Sequence, residues 1–131
     1  MAKAKQLTVW VESRPGGLGR VAKALGDAKV NITGFVCHTS AGESPIRLLV
    51  SSPAKAKKVL QNLGVRISEE EVLRLTLADK PGMVGEVGDR LGRANINVDY
   101  AYASVAAGGK KADLILGVSD LAAAARALRG L

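Results

Sequence analysis

Two short stretches of the chain contain the residue types that a binding site for a small zwitterion needs. They are Ser13-Arg14-Pro15-Gly16-Gly17-Leu18 and Asp79-Lys80-Pro81-Gly82-Met83-Val84. In both, the proline presets φ for a first helical turn, and the glycine lets another group approach the backbone closely. The free amides of that turn, at the positive end of the helix dipole, can receive a carboxylate. Asp79 can accept an ammonium, so the second stretch in particular has the pattern of an amino-acid site.

A purely structural interpretation of the two loops is equally open. Ser13 and Asp79 would then cap the following helices through their side-chain oxygens, and Pro-Gly would only turn the chain. The sequence alone does not separate a ligand site from a helix cap.

Other kinds of chemistry find little support in the sequence. The chain has one cysteine, Cys37, and one histidine, His38, so it lacks an internal disulfide and the ligands of an ordinary zinc site. Residues 17–22 fit a G-x-G-x-x-A dinucleotide pattern. No acid follows in the next predicted strand, however, and the second half of the chain does not keep the pattern. We therefore expect no catalytic residues, no metal and no cofactor.

An internal repeat organises the chain. At an offset of 66 residues, positions 9–35 align with 75–101 and eight residues are identical: Pro15/Pro81, Gly16/Gly82, Gly19/Gly85, Val21/Val87, Leu25/Leu91, Gly26/Gly92, Ala28/Ala94 and Asn31/Asn97. Repeats at such a period indicate copies of one structural unit. We place the first unit at residues 1–68 and the second at 69–131, with the seam near the acidic run Ser68-Glu69-Glu70-Glu71.

The spacing of apolar residues predicts the same order of elements in both copies. In the first, Leu7, Val9 and Val11 alternate as in a strand, whereas the apolar residues from Leu18 to Ala28 have helical spacing. Two strands, a second helix from Ala56 to Leu63 and a short fourth strand at 65–67 follow. The sequence therefore predicts an α+β fold of two ferredoxin-like βαββα(β) units, each an antiparallel sheet with helices on one face.

The second copy departs from this plan at its end. Strands over 73–77, 96–105 and 114–118, with helices over 84–94 and 121–128, repeat the order, and Ala107-Gly108-Gly109-Lys110 forms a hairpin turn. The chain then ends at Gly130-Leu131 without an evident fourth strand. Because this leaves a strand edge unpaired, we predict a homodimer, or strand exchange between the two copies.

Composition and charge narrow the possible partners. The 131 residues lack a stretch long and apolar enough for a membrane span or a secretory signal, so we expect a cytoplasmic protein. Residues 1–66 hold eleven Lys or Arg against three acids, which leaves a nucleic-acid-binding module as the alternative function. Against it, Trp10 is the aromatic residue at a candidate strand position, and Thr76 stands there in the second copy, so a platform for stacking bases is incomplete.

The repeated pattern resembles the ACT domain, a small regulatory module of amino-acid metabolism. The second copy has Asp79-Lys80-Pro81-Gly82, an apolar Val84, then Val87, Leu91 and Ile96-Asn97-Val98. The first copy repeats the pattern with Arg14-Pro15-Gly16, Leu18, Val21, Leu25 and Val30-Asn31-Ile32. The resemblance covers nearly the whole chain, as a tandem pair without a catalytic domain.

The resemblance implies a regulatory protein that binds a small amino acid. In that family, units pair edge to edge, and the effector lies between the loop after the first strand and the second strand of a neighbouring unit. This implies a homodimer, a regulated enzyme partner of unknown identity, and ligand contacts from both loops together with Asn31 and Asn97. Ser13 stands where the family has an acid, so the two loops differ in their capacity to hold an ammonium.

Overall fold

The computed structural model describes residues 1–39, 41–105 and 108–131, so Ala107 of the predicted hairpin turn lies outside the described residues. Strands and helices follow the predicted order, and their bounds are β1 (Ala2–Glu12), α1 (Gly17–Asp27), β2 (Ile32–Cys37), β3 (Glu43–Val50), α2 (Pro53–Asn62), β4 (Arg66–Ala78), α3 (Met83–Arg93), β5 (Val98–Val105), β6 (Lys111–Val118) and α4 (Leu121–Ala127). No helix among the described residues is long and apolar enough to cross a membrane.

The chain forms two compact units. The first unit is Lys5–Glu70, and the second unit is Met1–Ala4 together with Glu71–Leu131. In the first unit the strand order is β2-β3-β1-β4, and in the second it is β1-β4-β6-β5. Strand β3 pairs antiparallel with β1 and β2, as β6 does with β4 and β5. The predicted ferredoxin-like α+β fold is confirmed.

Each unit has an aliphatic core between its helices and one face of its sheet. The alternation along the strands selects that face, since successive side chains of a strand point to opposite sides. The first core consists of Leu7, Val9, Val21, Leu25, Val30, Ile46, Leu48, Ala56 and Leu60. The second consists of Leu73, Leu75, Leu77, Val87, Leu91, Ile96, Leu114, Leu116, Ala124 and Leu128.

The first residue of each predicted helical face is not in the core. Leu18 is 39% exposed and Val84 is 66% exposed, although both continue the apolar spacing of their helices. Both residues lie in the first turn, where the chain has just left the sheet. The apolar side chains therefore line the surface beside each loop.

Strand β4 corrects the prediction of two separate strands on either side of the acidic run. Arg66–Ala78 is one continuous strand of 13 residues that contains the whole acidic run. The run lacks Gly and Pro, and the carboxylates of Glu69 and Glu70 have partners. Lys5 Nζ lies 3.4 Å from Glu69, and Gln6 and Thr8 donate hydrogen bonds of 3.1 and 3.3 Å to Glu70. The hydrogen bond from Lys5 holds the pKa of Glu69 below its ordinary value.

The fourth strand that the second copy lacks comes from the other end of the sequence. Met1–Ala4 groups in space with Glu71–Leu131, and β1 is the neighbour of β4 opposite β6. The start of β1 thus lies at the edge of the second unit that would otherwise be unpaired. A single long β1 serves both units, and so does a single long β4.

A variant that lacks Ala2–Ala4 tests this arrangement. We expect faster amide hydrogen exchange in the first residues of the second-unit part of β4, Glu71–Leu75, because their backbone groups lose strand partners. Mass spectrometry of peptic fragments measures it, with β3 of the first unit as the internal control. Unchanged protection of Glu71–Leu75 would contradict the assignment.

Candidate functional site

A left-handed glycine begins the helix that follows each loop. Gly16 precedes α1 with φ 93°, and Gly82 precedes α3 with φ 92°. This region of φ is readily open to glycine and strained for other residues. Pro15 and Pro81 therefore stand before the N-cap, which corrects the prediction that they occupy the first helical turn. A bulky residue at position 82 would strain the backbone irrespective of any ligand.

The capping interpretation of Ser13 and Asp79 is not supported by the contacts. Among the described residues, neither side chain bonds an amide of the following helix. Ser13 Oγ lies 3.2 Å from Thr39 Oγ1, which in turn lies 3.3 Å from Ser44 Oγ. Asp79 uses its backbone N–H, which donates to the carbonyl of Lys110 at 2.9 Å. The exposed Asp79 carboxylate has no partner within the described ranges, so it is free to accept a cation.

The first helical turn presents amides without acceptors in both units. The N–H of Gly17 reaches the Arg14 carbonyl at 3.4 Å, and the N–H of Arg20 donates to the Gly16 carbonyl at 2.9 Å. The intervening amides, of Leu18 and Gly19, have no acceptor within the described part of the chain. The second unit repeats this pattern at Met83 and Glu86, with distances of 3.5 and 3.0 Å. Such amides bind anions well.

A cavity adjoins these amides in the first unit. It has a volume of about 190 Å³ and lies between the loop and the ends of β2 and β3. We call it the loop cavity; its lining residues are Val11, Glu12, Arg14, Gly16, Gly17, Leu18, Gly19, Cys37, Ser44 and Ile46. Sequence reasoning named Arg14, Gly16, Gly17 and Leu18, but it missed Gly19, Cys37 and Ser44 as cavity residues. The identity of Gly19 and Gly85 in the repeat was the signal that could have identified the first of these.

Two glycines of α1 have different surroundings. A Cβ on Gly17 would lie 3.2 Å from Cγ2 of Val11, so glycine lets the helix start pack closely on β1. A Cβ on Gly19 would meet no atom within 4 Å, and the same holds for Gly85 in α3. Internal packing therefore does not require glycine at Gly19 or Gly85. A bare backbone there leaves room for an external group to approach.

Asn31 and Asn97 connect strand ends through their backbones. Their N–H groups donate to Ser51 Oγ at 2.9 Å and Ser119 Oγ at 3.1 Å. The side chain of Asn97 donates to Asp99 at 2.8 Å. Because β1 and β2 are both antiparallel to β3, Asn31 lies at the opposite end of its unit from the loop after β1. Its predicted ligand contact, like that of Asn97, stays a prediction that requires the approach of another unit.

The strand aromatics have partners of their own. The ring of Tyr100 lies over Gly117, where an added Cβ would come within 2.3 Å of it. The guanidinium carbon of Arg66 lies 4.3 Å from the centre of the Trp10 ring. At the position that corresponds to Trp10, Thr76 donates to Asp113 at 2.8 Å. Arg74 donates to the same carboxylate at 2.7 Å, and these bonds lower the pKa of Asp113.

Metal-ligating side chains do not cluster in the described ranges, where no group of three His, Cys, Asp or Glu side chains could hold an ion. Glu86 and Asp113, which are two of the acids in the second unit, form ion pairs with Arg90 and Arg74. These ion pairs give both carboxylates a structural role that requires no acid-base chemistry.

Comparisons with known proteins agree on the family and the fold. Residues 2–127 match the family described as the ACT domain pair. No curated protein matches the sequence significantly. A protein from Bacteroides thetaiotaomicron has a solved structure with a TM-score of 0.89 and 24% identity, covering 97% of this chain and 87% of that one.

Regulatory subunits of aspartate kinase have a similar fold. The ligand-free subunit from Thermus thermophilus gives a TM-score of 0.71 at 13% identity, covering 98% of this chain and 95% of that one. The subunit from Thermus flavus gives 0.65 at 13% identity, covering 96% and 92%. At this level of identity the likeness is one of fold.

The close packing at Gly17 leads to a stability prediction. We expect Gly26→Ala to stabilise the protein by up to about 1 kcal/mol, because alanine favours a helix and its Cβ meets nothing. Gly17→Ala should lack that gain and destabilise by about 1 kcal/mol, because its Cβ crowds Val11. Urea denaturation measures both variants. Equal stabilisation would show that Val11 does not constrain the start of α1.

Proposed function

This chain belongs to the ACT domain pair family, and from this we propose that it binds a small amino acid at its strand-to-helix loops and thereby regulates a partner protein. The observation that carries the proposal is the pair of acceptor-free amides at the start of α1, which lies beside the loop cavity. A ligand carboxylate placed there would gain two N–H donors and the helix dipole. The cavity volume of about 190 Å³ suits a small metabolite, since pockets for drug-sized ligands measure roughly 300–1,000 Å³.

The two loops offer different partners for the rest of the ligand. The second loop has Asp79, an exposed carboxylate that can hold an ammonium, and Lys80 beside it. In the first loop Ser13 contributes only a hydroxyl, which already contacts Thr39, and Arg14 and Arg20 make the surroundings more positive. We therefore propose that the two units bind with unequal affinity, the second loop being better suited to an ammonium and the first to a more acidic ligand.

Regulation would follow from pairing between copies of the chain. Strand β2 ends the sheet order of the first unit and carries no charged residue, and Phe35 on it is 51% exposed. In the second unit the corresponding edge strand is β5, where Val98 is 37% exposed. An uncharged edge such as β2 favours pairing with another strand, whereas β5 carries one charge, Asp99. We propose a homodimer that pairs through such an edge, so that a ligand beside β2 shifts the population of the paired state.

We propose that the protein acts as a regulator in the cytoplasm and is not itself an enzyme. The nucleic-acid alternative gains no support from the second unit, because Thr76 stands at the position of Trp10 there and donates a hydrogen bond to Asp113. We propose that the regulated partner is an enzyme of amino-acid metabolism.

Thermal shift with each of the twenty amino acids tests the proposed function. A true ligand at 100 times its dissociation constant stabilises by about 2.7 kcal/mol. We expect Gly19→Ala to abolish the shift that arises from the first loop, because the added Cβ enters the loop cavity, while Gly26→Ala on the same helix keeps it. Bound ligand should also slow alkylation of Cys37, the single cysteine, which lines that cavity. A flat response to all twenty at millimolar concentration would contradict the proposal.

Asp79→Asn tests the role of the second loop. Loss of the charge that holds an ammonium should weaken binding there about tenfold, a difference of about 1.4 kcal/mol. Asp89→Asn, which changes an exposed acid on α3, is the matched control and should bind normally. Isothermal titration distinguishes the two classes of site. Equal affinities for both variants and the parent would remove Asp79 from the site.

A further inference from the structure

A second cavity of the first unit lies on the other side of the same loop. It has a volume of about 540 Å³, well above that of the loop cavity. We call it the arginine cavity; its lining residues are Trp10, Val11, Glu12, Arg14, Pro15, Gly16, Gly17, Arg20, Gly64, Val65 and Arg66. This volume falls within the range for cofactor-sized ligands, whereas a small amino acid would leave much of it empty.

The charge of this cavity favours an anion. Three guanidinium groups line it, with Glu12 as the acid. Arg14 lies 3.4 Å from Glu12 and Arg66 lies 3.5 Å from Glu43, but all four side chains are more than half exposed. Ion pairs of that kind contribute little and exchange readily for a better acceptor. Arg20 is fixed in the wall, because its Nη2 donates to the Leu63 carbonyl at 2.9 Å.

The cavity also offers a surface for a flat ring. The guanidinium carbon of Arg66 lies 4.3 Å from the centre of the Trp10 ring, so the two side chains form a stacked pair at the wall. Tryptophan rings and arginine planes are the side chains on which nucleobases stack. Guanidinium groups also match phosphate geometry with paired hydrogen bonds. Side chains suited to a phosphate and side chains suited to a flat ring thus line one cavity.

The second unit shows that the fold does not require this chemistry. Thr76, Lys80 and Glu86 stand at the positions of Trp10, Arg14 and Arg20 in the repeat. The backbone of the loop is nevertheless the same, with equivalent left-handed glycines at Gly16 and Gly82. The aromatic ring and the excess positive charge are therefore properties of the first unit alone.

We propose that the arginine cavity of the first unit binds a nucleoside phosphate, with the base against Trp10 and Arg66 and the phosphate among the guanidinium groups. This site goes beyond the proposed amino-acid function and uses residues that do not line the loop cavity, chiefly Trp10, Arg20 and Arg66. Arg14, Gly16 and Gly17 line both cavities, so occupation of one would be felt at the other.

Fluorescence of Trp10 reports directly on the site, because it is the only tryptophan of the chain. The full chain is titrated with adenosine monophosphate, adenosine and inorganic phosphate, with free tryptophan as the control for light absorption by the nucleotide. We expect adenosine monophosphate to quench Trp10 and raise the melting temperature. Adenosine and phosphate alone should bind at least about tenfold more weakly, since each makes half of the contacts. Added salt should weaken the binding of adenosine monophosphate, because it screens the attraction between the phosphate and the guanidinium groups.

Matched variants separate the site from general positive charge. Arg66→Gln should weaken the binding of adenosine monophosphate about tenfold or more. Arg66→Lys should keep the salt dependence of binding but lose part of the Trp10 quenching. Lys58→Gln, an exposed charge on α2 outside the cavity, should bind like the parent. Gly19→Ala should keep nucleotide binding, because Gly19 lines the loop cavity and not the arginine cavity. Failure of the amino-acid proposal can therefore be distinguished from failure of the nucleotide proposal.

Three results would overturn the proposal. The first is the absence of quenching and of a thermal shift at millimolar adenosine monophosphate. The second is equal weakening by Lys58→Gln and Arg66→Gln, which would show attraction by net charge only. The third is binding of single-stranded RNA with no measurable binding of the mononucleotide, which would favour a nucleic-acid surface.

Discussion

The need of the edge beside the first strand of each unit for a hydrogen-bonding partner determines how this chain is built. A ferredoxin-like unit of about 60 residues is marginal alone, and an open edge beside its first strand would leave a row of unpaired backbone groups. In the first unit the start of β4 covers that edge, and in the second unit the start of β1 does so. Both strands are therefore longer than one unit needs, at 11 and 13 residues. The two strand-to-helix loops depend on these strands, because the first loop begins where β1 ends and the second begins where β4 ends.

Much of this fold is predictable from the sequence because its signals are periodic and repeated. The apolar spacing of Val21 and Leu25, and of Val87 and Leu91, fixes the buried faces of α1 and α3. The continuity of β4 was missed because a run of acids is usually solvated, whereas the partners of Glu69 and Glu70 lie on β1, far away in sequence.

The candidate site was predictable in part. The Pro-Gly loops and their helix starts follow from composition and order, and the left-handed glycines at Gly16 and Gly82 agree with them. The side of the loop on which a cavity opens depends on Cys37 and Ser44, which reach it through strand pairing. Likewise, Trp10 and Arg66 are distant in sequence and meet only because β1 and β4 are neighbours. Duplication preserved the backbone of the loop and allowed the side chains around it to diverge.

The shared use of β1 also affects how the protein forms during synthesis. Ala2–Ala4 leave the ribosome long before Glu71–Leu131, with which they finally group. The first unit can close as soon as Glu70 has emerged, since its strands are then all present. The first residues of β1 must meanwhile stay without their strand partners until Glu71–Leu131 arrives. The nascent protein therefore exposes an unsatisfied backbone segment while Glu71–Leu131 is being made, and a chaperone or a second nascent chain has that interval in which to capture it.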